Sequence, residues 1–333
     1  MAKALSILLA ITTVVFAALY FSGPRRAQGP AAGADATATG EEYLFVGVSV
    51  GNAYWIDARV GFGDAGTDLG VKAKFDGPQG SDVKQQVDTV EKGIARGVKG
   101  IILSPAEPQA VVPVINKAVE AGIPVLTVDT DSPNSKRYTF IGTGNYEAGV
   151  IGGKLLGEAI GGKGKVGLLT IPGQWNLEER VRGYRDALAK FGIKKEDIII
   201  GNDRAEEGQA KAEAERMLQA HPDLTGFGCV DAAGGVGVAV AVRDAGKKGV
   251  IKIIAMDRND ATLDFIKKGF IQASLAQRTY TMAYLGLQML YGLNHDRIKM
   301  VKDWRKAATC PLPALVDTGT VVITQENVEF FYH

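Results

Sequence analysis

Short apolar runs alternate with segments of helical periodicity from Tyr43 to the C-terminal region. Ten runs are rich in β-branched and other large apolar residues, among them YLFVGVSV, GIILS, IPVLTVD and IKIIAMD. The segments between them carry apolar residues every three or four positions. In the segment 81–97 these are Val83, Val87, Val90 and Ile94. We predict a helix there, with Ser81 and Gly97 at its ends.

The alternation of strand and helix predicts parallel sheets joined by right-handed crossovers. Ten strands are many for one doubly wound sheet, and the alternation is interrupted where VLTVD and YTFIGT follow each other without a helix between them. We therefore place a domain junction near Gly144. Because no repeat of 20 to 50 residues is visible, the two halves share an architecture and not a sequence.

The N-terminus has a different pattern, with Lys3 followed by an almost unbroken apolar run over residues 4–21. We assign residues 1–22 to an export signal or a membrane anchor, so the protein is expected to be periplasmic or otherwise extracytoplasmic. The Gly-, Ala- and Pro-rich residues 23–42 are interpreted as a flexible linker. Cleavage or retention of the apolar segment stays open.

Composition and charge exclude several classes of protein. The chain has 333 residues, of which 38 are basic and 37 acidic, so no excess charge favours nucleic acid as a partner. The two cysteines, Cys229 and Cys310, lie outside any CxxC motif, and two free thiols are the favoured interpretation. The three histidines are scattered, and no metal site is predicted.

Polar residues follow several predicted strands at their carboxyl ends, which is the edge where open α/β sheets bind ligands. They are Ser104, Asp129, Asp231, Asp257 and Gln277. Any one Ser or Asp could simply cap the next helix. Gln277 is a poor cap, however, and a loop and not a helix follows Asp129. As a group, these residues favour a polar ligand cleft.

Two further features fit a ligand with hydroxyl groups and an apolar face. In the helix WNLEERVRGYRDALAKF, Arg180 lies at the edge of the apolar stripe, with Asn176 one turn before it. Tyr54 and Trp55 follow the first strand, and aromatic planes suit the C–H face of a sugar. The alternative for these aromatics is ordinary core packing.

Competing motifs are weaker. GEAIGGKG fits GxxxxGK but lacks the following Ser or Thr, and it ends a helix. GGVGVAV lacks the third glycine of a dinucleotide-binding turn. A nucleotide-dependent oxidoreductase on a doubly wound fold nevertheless stays open as an alternative.

The chain resembles the periplasmic sugar-binding proteins of ABC transporters, of the ribose, galactose and xylose type. The stretches that carry the resemblance are GVSVGNAYWID, GVKGIILSPAEPQAV, GIPVLTVDTD, ERVRGYRDAL, AHPDLTGFGCVDAAGGVGVAVAV, IIAMDRNDATLDFIKKGFIQASLAQ and LVDTGTVVITQENV. It implies an α/β fold of two similar doubly wound parallel-sheet domains joined by a three-segment hinge. The implied N-terminal domain comprises 43–143 and 278–317, and the C-terminal domain comprises 144–277 and 318–333.

The resemblance also implies a set of ligand-binding residues between the two domains. An aromatic that some members carry near residue 205 is Ala205 here, and Trp175 is expected to replace it. Ser104 and Thr130 also depart from the pattern of ribose binders. The implied set is Asn52, Tyr54, Trp55, Ser104, Asp129, Thr143, Trp175, Asn176, Arg180, Asp231, Asp257 and Gln277.

The function implied by the resemblance is a non-catalytic receptor that captures a small sugar or polyol between closing domains. Its implied partners are the transmembrane subunits of an ABC permease, and we expect a monomer without cofactor or metal. A receptor for a nucleoside or a signalling molecule stays open as a further alternative. DNA-binding regulators share this fold but begin with a helix-turn-helix, where this chain has an apolar segment.

Overall fold

The computed structural model describes residues 40–332, which contain two six-stranded sheets. The first sheet consists of β1 (Glu42–Val46), β2 (Lys72–Asp76), β3 (Gly100–Leu103), β4 (Val125–Val128), β5 (Phe140–Gly142) and β11 (Leu315–Asp317). The second sheet consists of β6 (Lys165–Thr170), β7 (Ile198–Asn202), β8 (Leu224–Cys229), β9 (Lys252–Met256), β10 (Ala273–Gln277) and β12 (Thr320–Thr324).

Helices cover both faces of each sheet. The first sheet packs against α1 (Ile56–Leu69), α2 (Val83–Arg96), α3 (Val112–Glu120) and α9 (Thr279–Asn294). The second packs against α4 (Asn145–Ile160), α5 (Trp175–Ala189), α6 (Glu207–Ala220), α7 (Gly234–Asp244) and α8 (Asp260–Lys267). We call the first sheet with its helices the N-lobe and the second the C-lobe.

The strand orders confirm the predicted doubly wound architecture. They are β11-β5-β4-β3-β1-β2 in the N-lobe and β12-β10-β9-β8-β6-β7 in the C-lobe. Successive side chains of β1 enter two cores: Tyr43 and Phe45 pack with α1 and α9, and Leu44 and Val46 pack with α2 and α3. Pairing is parallel throughout the N-lobe sheet, whereas β12 joins the C-lobe sheet antiparallel to β10.

The chain passes between the lobes three times, after β5, after β10 and after β11. Asp317 connects two of these crossings, because its Oδ1 accepts hydrogen bonds from the backbone N–H of Gly144 and of Gly319, both at 2.7 Å. A three-segment connection therefore joins the lobes. The division of the chain at residues 144, 278 and 318 stays a prediction.

Two details of the secondary structure differ from the sequence-based expectations. The residue that caps α2 is Asp82 and not Ser81, since the Asp82 carboxylate accepts the N–H of Gln85 at 2.9 Å. The edge strands β11 and β12 are not among the ten predicted strands. Strand β11 has only three residues, two of them exposed, whereas β12 is half-buried apart from Ile323, which is fully buried.

Helices α4 and α5 approach each other backbone to backbone. A Cβ atom at Gly149 would lie 2.0 Å from the carbonyl oxygen of Arg180, and one at Gly183 would lie 2.2 Å from that of Tyr146. Glycine at both positions is therefore required by the approach. This contact fixes α5, and Arg180 with it, deep against the C-lobe sheet.

The predicted signal or anchor (1–22) and all but the last three residues of the predicted linker (23–42) lie outside the described residues. Strand β1 begins at Glu42, one residue before the expected start of the folded part. Between residues 40 and 332, no helix is long and apolar enough to cross a membrane.

Candidate functional site

Two aspartates occupy equivalent positions in the two lobes. Asp129 follows β4 and Asp257 follows β9, and both have a left-handed backbone with φ 62°. The N–H of Asp129 donates to Ile141 O at 3.0 Å, and that of Asp257 donates to Leu275 O at 2.9 Å. Aspartate tolerates this conformation better than most residues. In each lobe, this turn directs the backbone away from the sheet at the carboxyl ends of the strands.

Tyr54 holds Asp129 on the N-lobe side. Its hydroxyl donates to Asp129 Oδ1 at 2.5 Å. Burial raises the pKa of Asp129 to about 6, although this hydrogen bond lowers it. Burial, and then the charges of Asp129 and Asp257, raise the pKa of the Tyr54 phenol well above its ordinary value, so Tyr54 is a neutral donor at physiological pH.

Trp55 does not form the aromatic wall expected from the sequence. Its side chain is only 2% exposed and packs edge-on against Phe45, with ring centroids 5.8 Å apart. The rings of Tyr54 and Trp55 are perpendicular, at 87°, because neighbouring residues of a helical turn point in different directions. The core therefore takes Trp55, and Tyr54 alone reaches the cleft.

Asn52 and Ser104 have mainly local roles in this structure. Asn52 Oδ1 accepts the N–H of Tyr54 at 2.9 Å and so shapes the turn before α1. Ser104 is fully buried at the end of β3, and its Oγ has no hydrogen-bond partner within the described part of the chain. Its carbonyl oxygen accepts a hydrogen bond from Gln86 Nε2 at 2.8 Å.

Gln86 is a positioning residue that the sequence analysis missed. Its side chain is fully buried, and its Nε2 also donates to Gly47 O at 3.0 Å. Its Oε1 accepts the N–H of Ala106 at 3.0 Å. One amide thus joins the loops that follow β1 and β3. The available signal was a polar residue on the apolar stripe of α2, one turn before Val90.

Arg180 was predicted at the edge of the apolar stripe of its helix, and its side chain is buried in the C-lobe. Its Nε donates to Asn145 Oδ1 at 2.8 Å and its Nη1 to Val230 O at 2.7 Å. Its positive charge lowers the pKa values of Asp129 and Asp257, which belong to opposite lobes. Asn145, the first residue of α4, was not predicted as part of the site.

Gln277 connects the two lobes through Thr143. The Thr143 hydroxyl donates to Gln277 Oε1 at 2.9 Å, and Gln277 Nε2 donates to Asp257 Oδ1 at 3.0 Å. Burial raises the pKa of Asp257, whereas Arg180 and the hydrogen bond from Gln277 lower it. This chain of hydrogen bonds holds the Asp257 carboxylate beside the segments that cross between the lobes.

Asp231 serves mainly as a helix cap, the simpler of the two interpretations. Its Oδ1 accepts the N–H groups of Ala233 at 2.9 Å and Gly234 at 3.1 Å. Its other carboxylate oxygen is buried and lies near the carboxyl group of Asp203, which is fully buried. Burial and the nearby Asp231 raise the pKa of Asp203 to about 7.

The structure does not bring Trp175 into this buried group. Trp175 begins α5 and is 70% exposed, so the expectation that it replaces an aromatic of the cleft is not met in this structure. Asn176 is half-buried one turn before Arg180. The predicted residues that the structure does bring together are Tyr54, Asp129, Thr143, Arg180, Asp257 and Gln277.

A small cavity lies beside three of these residues, Tyr54, Asp257 and Gln277. A cavity of about 20 Å³ is lined by Tyr54, Asp57, Asp257, Arg258, Ala276, Gln277 and Thr279. This volume holds about one water molecule, whereas ligand pockets commonly measure about 300 Å³ or more. The polar side chains therefore bond to one another across a closed cleft, and a larger ligand requires the lobes to separate.

Metal and thiol chemistry have little support at this site. Within residues 40–332, no group of three or more His, Cys, Asp or Glu side chains is arranged to hold a metal ion. The two cysteines are free thiols, as predicted, with Cys229 buried and Cys310 exposed. Burial and the nearby Asp203 and Asp231 raise the pKa of Cys229 well above its ordinary value, which makes this thiol unreactive.

Comparison with known proteins identifies the family. Residues 43–295 match the family model described as periplasmic binding protein domain. A D-ribose/D-allose-binding protein of Pseudomonas aeruginosa is 30% identical over 244 residues, covering 69% of this chain and 76% of that protein. The range matched by the family model covers most of both lobes and ends before β11.

Solved structures agree with this match. A sugar-binding protein of a sugar ABC transporter from Bacillus halodurans superposes with a TM-score of 0.82 at 35% identity, over 88% of this chain and 100% of that one. An arabinose-binding protein from Geobacillus stearothermophilus gives 0.81 at 37% identity, with the same coverage. All three relatives are binding proteins, which disfavours the alternative of a nucleotide-dependent oxidoreductase. The chain belongs to the family of periplasmic binding proteins.

Proposed function

We propose that this protein is the solute-binding receptor of an ABC importer and that its ligand is a small neutral sugar or polyol. The observation that carries the proposal is the convergence of Tyr54, Asp129, Arg180, Asp257 and Gln277 from both lobes. Several of these side chains are fixed by protein contacts before a ligand binds. Preorganised donors and acceptors of this kind suit a ring of hydroxyl groups.

The charges of the cleft favour a neutral ligand. Two carboxyl groups, those of Asp129 and Asp257, face one guanidinium group. They would repel a phosphate or carboxylate group on a ligand. A ligand hydroxyl group can donate to either carboxylate or to the Tyr54 oxygen, and it can accept from Arg180. Nucleotide cofactors therefore fit this cleft poorly, and two of the named relatives are binding proteins for ribose or allose and for arabinose.

Closure of the lobes completes the proposed cycle. Ligand contacts to both lobes stabilise the closed state, and a permease in the membrane recognises that state. We propose that the lobes comprise 43–143 with 278–317 and 144–277 with 318–333, and that the receptor is a monomer. Family membership implies a location outside the cytoplasm. We propose that residues 1–22 are either an export signal that is cleaved or an anchor that holds the receptor at the membrane.

The test is a thermal-shift screen of the purified protein against pentoses, hexoses, inositols and nucleosides, followed by titration calorimetry of each hit. A ligand that binds only the folded state raises the melting temperature. We expect a selective shift from one aldose or polyol, with one-to-one binding that Asp257→Ala abolishes. The matched control is Asp260→Ala, at an exposed position in the first turn of α8. A shift from a nucleoside or from NAD alone would contradict the proposal.

A further inference from the structure

An ion pair joins the two lobes beside the crossing segment that follows β10, because its two residues line the same small cavity as Gln277 and Thr279. The Asp57 carboxylate, in the first turn of α1, contacts the Arg258 guanidinium, which follows β9 in the C-lobe. The pair is partly buried, with 30% of the Asp57 side chain and 19% of the Arg258 side chain exposed. Partial burial and a charge-assisted hydrogen bond make such a pair stronger than an ordinary surface pair.

The C-lobe holds the Arg258 side chain in place for this contact. Its Nη1 donates to Phe331 O at 2.6 Å, and its guanidinium carbon lies 5.8 Å from the centre of the Phe331 ring. These contacts fix the guanidinium group on its own lobe. Formation of the cross-lobe pair therefore requires little further ordering of Arg258.

Asp57 and Arg258 also form one wall of the small cavity that Tyr54 and Asp257 line. Separation of the lobes wide enough for a sugar would pull α1 away from the loop after β9. The contact between the two charges is then lost. It is therefore an interaction of the closed state.

We propose that the Asp57–Arg258 pair sets the fraction of receptor molecules that are closed and thereby contributes to ligand affinity. This inference rests on the proposed function for its effect on affinity. An interaction made only in the closed state shifts the equilibrium toward that state, with or without a ligand. Because salt screens charges and weakens the ion pair, sugar affinity will also fall as ionic strength rises.

The experiment compares neutral, reversed and control variants of the full chain. Asp57→Asn and Arg258→Gln each remove one charge, and the double variant Asp57→Arg with Arg258→Asp restores the pair in reverse. The control is Arg96→Gln, which breaks a pair with Glu42 inside the N-lobe at 3.0 Å. We expect each neutral variant to weaken sugar binding about threefold to tenfold, mainly through faster dissociation.

Closure is measured separately, without any sugar. Spin labels on cysteines at the exposed positions Lys92 of α2 and Lys190 after α5, with Cys310→Ser, report the distance between the lobes. We expect a longer and broader distance distribution in both neutral variants, partial recovery in the reversed pair, and no change in Arg96→Gln. The salt dependence of affinity should weaken in the neutral variants.

Two results would overturn the inference. One is an unchanged distance distribution in both neutral variants, and the other is a reversed pair that recovers neither distance nor affinity while the melting temperature stays normal. If no sugar binds to any variant, the proposed function fails. The ligand-free distances still test the ion pair by themselves.

Discussion

Asp129 and Asp257 are related by the internal symmetry of the protein. Each follows the third strand in the order of its sheet, each has φ 62°, and each donates its N–H to a carbonyl oxygen of the second strand. Two lobes without visible sequence repetition thus place a carboxyl group at the same point of the same turn. The lobes face each other, so the cleft receives one such group from each side.

The left-handed turn predicts a difference between two substitutions of Asp257. Asparagine accepts φ near +60° at little cost, whereas alanine in this region costs about 1 kcal/mol. Both remove the carboxylate, so both should abolish sugar binding. We expect Asp257→Ala to have a free energy of unfolding about 1 kcal/mol lower than Asp257→Asn, measured by urea denaturation. Equal stability of the two variants would contradict the role of backbone strain.

Tyr54 and Trp55 should respond differently to substitution, because one lies at the cleft and the other in the core. Tyr54→Phe removes the donor to Asp129, and we expect sugar affinity to fall about tenfold with a small change in stability. Trp55→Ala should lower the free energy of unfolding by about 3–5 kcal/mol, as large core truncations do. Trp55→Phe should leave affinity within about threefold. Calorimetry and urea denaturation test both, with Tyr146→Phe as the control for loss of a surface hydroxyl.

Arg180 provides a third prediction, for which the same helix offers a matched control. Arg180→Lys cannot maintain the hydrogen bonds to Asn145 and Val230 together, because lysine lacks the guanidinium fork. We expect a loss of sugar affinity of about 100-fold or more, since a buried charged group is left imperfectly paired. Arg182→Lys changes an exposed pair with Glu179 and should leave affinity within about twofold. Similar losses in both variants would contradict the placement of Arg180 in the site.

The sequence predicted the site residues at strand ends better than the residues that hold them in place. Parallel strands bring their carboxyl ends to one edge whatever the details of packing, so Asp129, Asp257 and Gln277 could be grouped in advance. The choice between Tyr54 and Trp55 depends on which ring the core accommodates. Packing against Phe45 and its neighbours settles that choice, and hydrophobic periodicity alone does not.

The positioning residues were missed for a related reason. Gln86 and Asn145 act through hydrogen bonds to loops distant in sequence, and no local pattern marks them. Asp231 has a local role that its position at a strand end does not reveal, and its contact with a ligand stays a prediction. Its position at a strand end suggested a ligand contact, but the N–H groups at the start of α7 occupy one of its oxygens. Fold-level reasoning thus predicted a cleft at this edge of the sheets, but it did not predict the hydrogen bonds made by Gln86 and Asn145.

The fourth prediction concerns the dependence of stability on pH. Asp203 is fully buried, and burial with the nearby Asp231 raises its pKa from 3.8 to about 7. Between these values the folded state holds a proton that the unfolded state has released, so stability must fall as pH rises from about 4 to 7. One proton allows a slope of at most about 1.4 kcal/mol per pH unit. Asp129, with a pKa raised to about 6, acts in the same direction.

Asp203→Asn supplies a neutral side chain of the same shape and should flatten this decline, so that the variant gains stability relative to the parent as pH rises from about 4, and the gain levels off above about pH 7. Urea denaturation between pH 4.5 and 8 measures the free energy of unfolding of the variant and of the parent. The control is Asp244→Asn, because Lys211 and Arg243 lower the pKa of Asp244. A lowered pKa contributes stability that is lost only as pH falls below about 4, so this variant should keep the parent's slope. A parent protein whose stability rises steadily from pH 4.5 to 7 would show that Asp203 is ionised throughout.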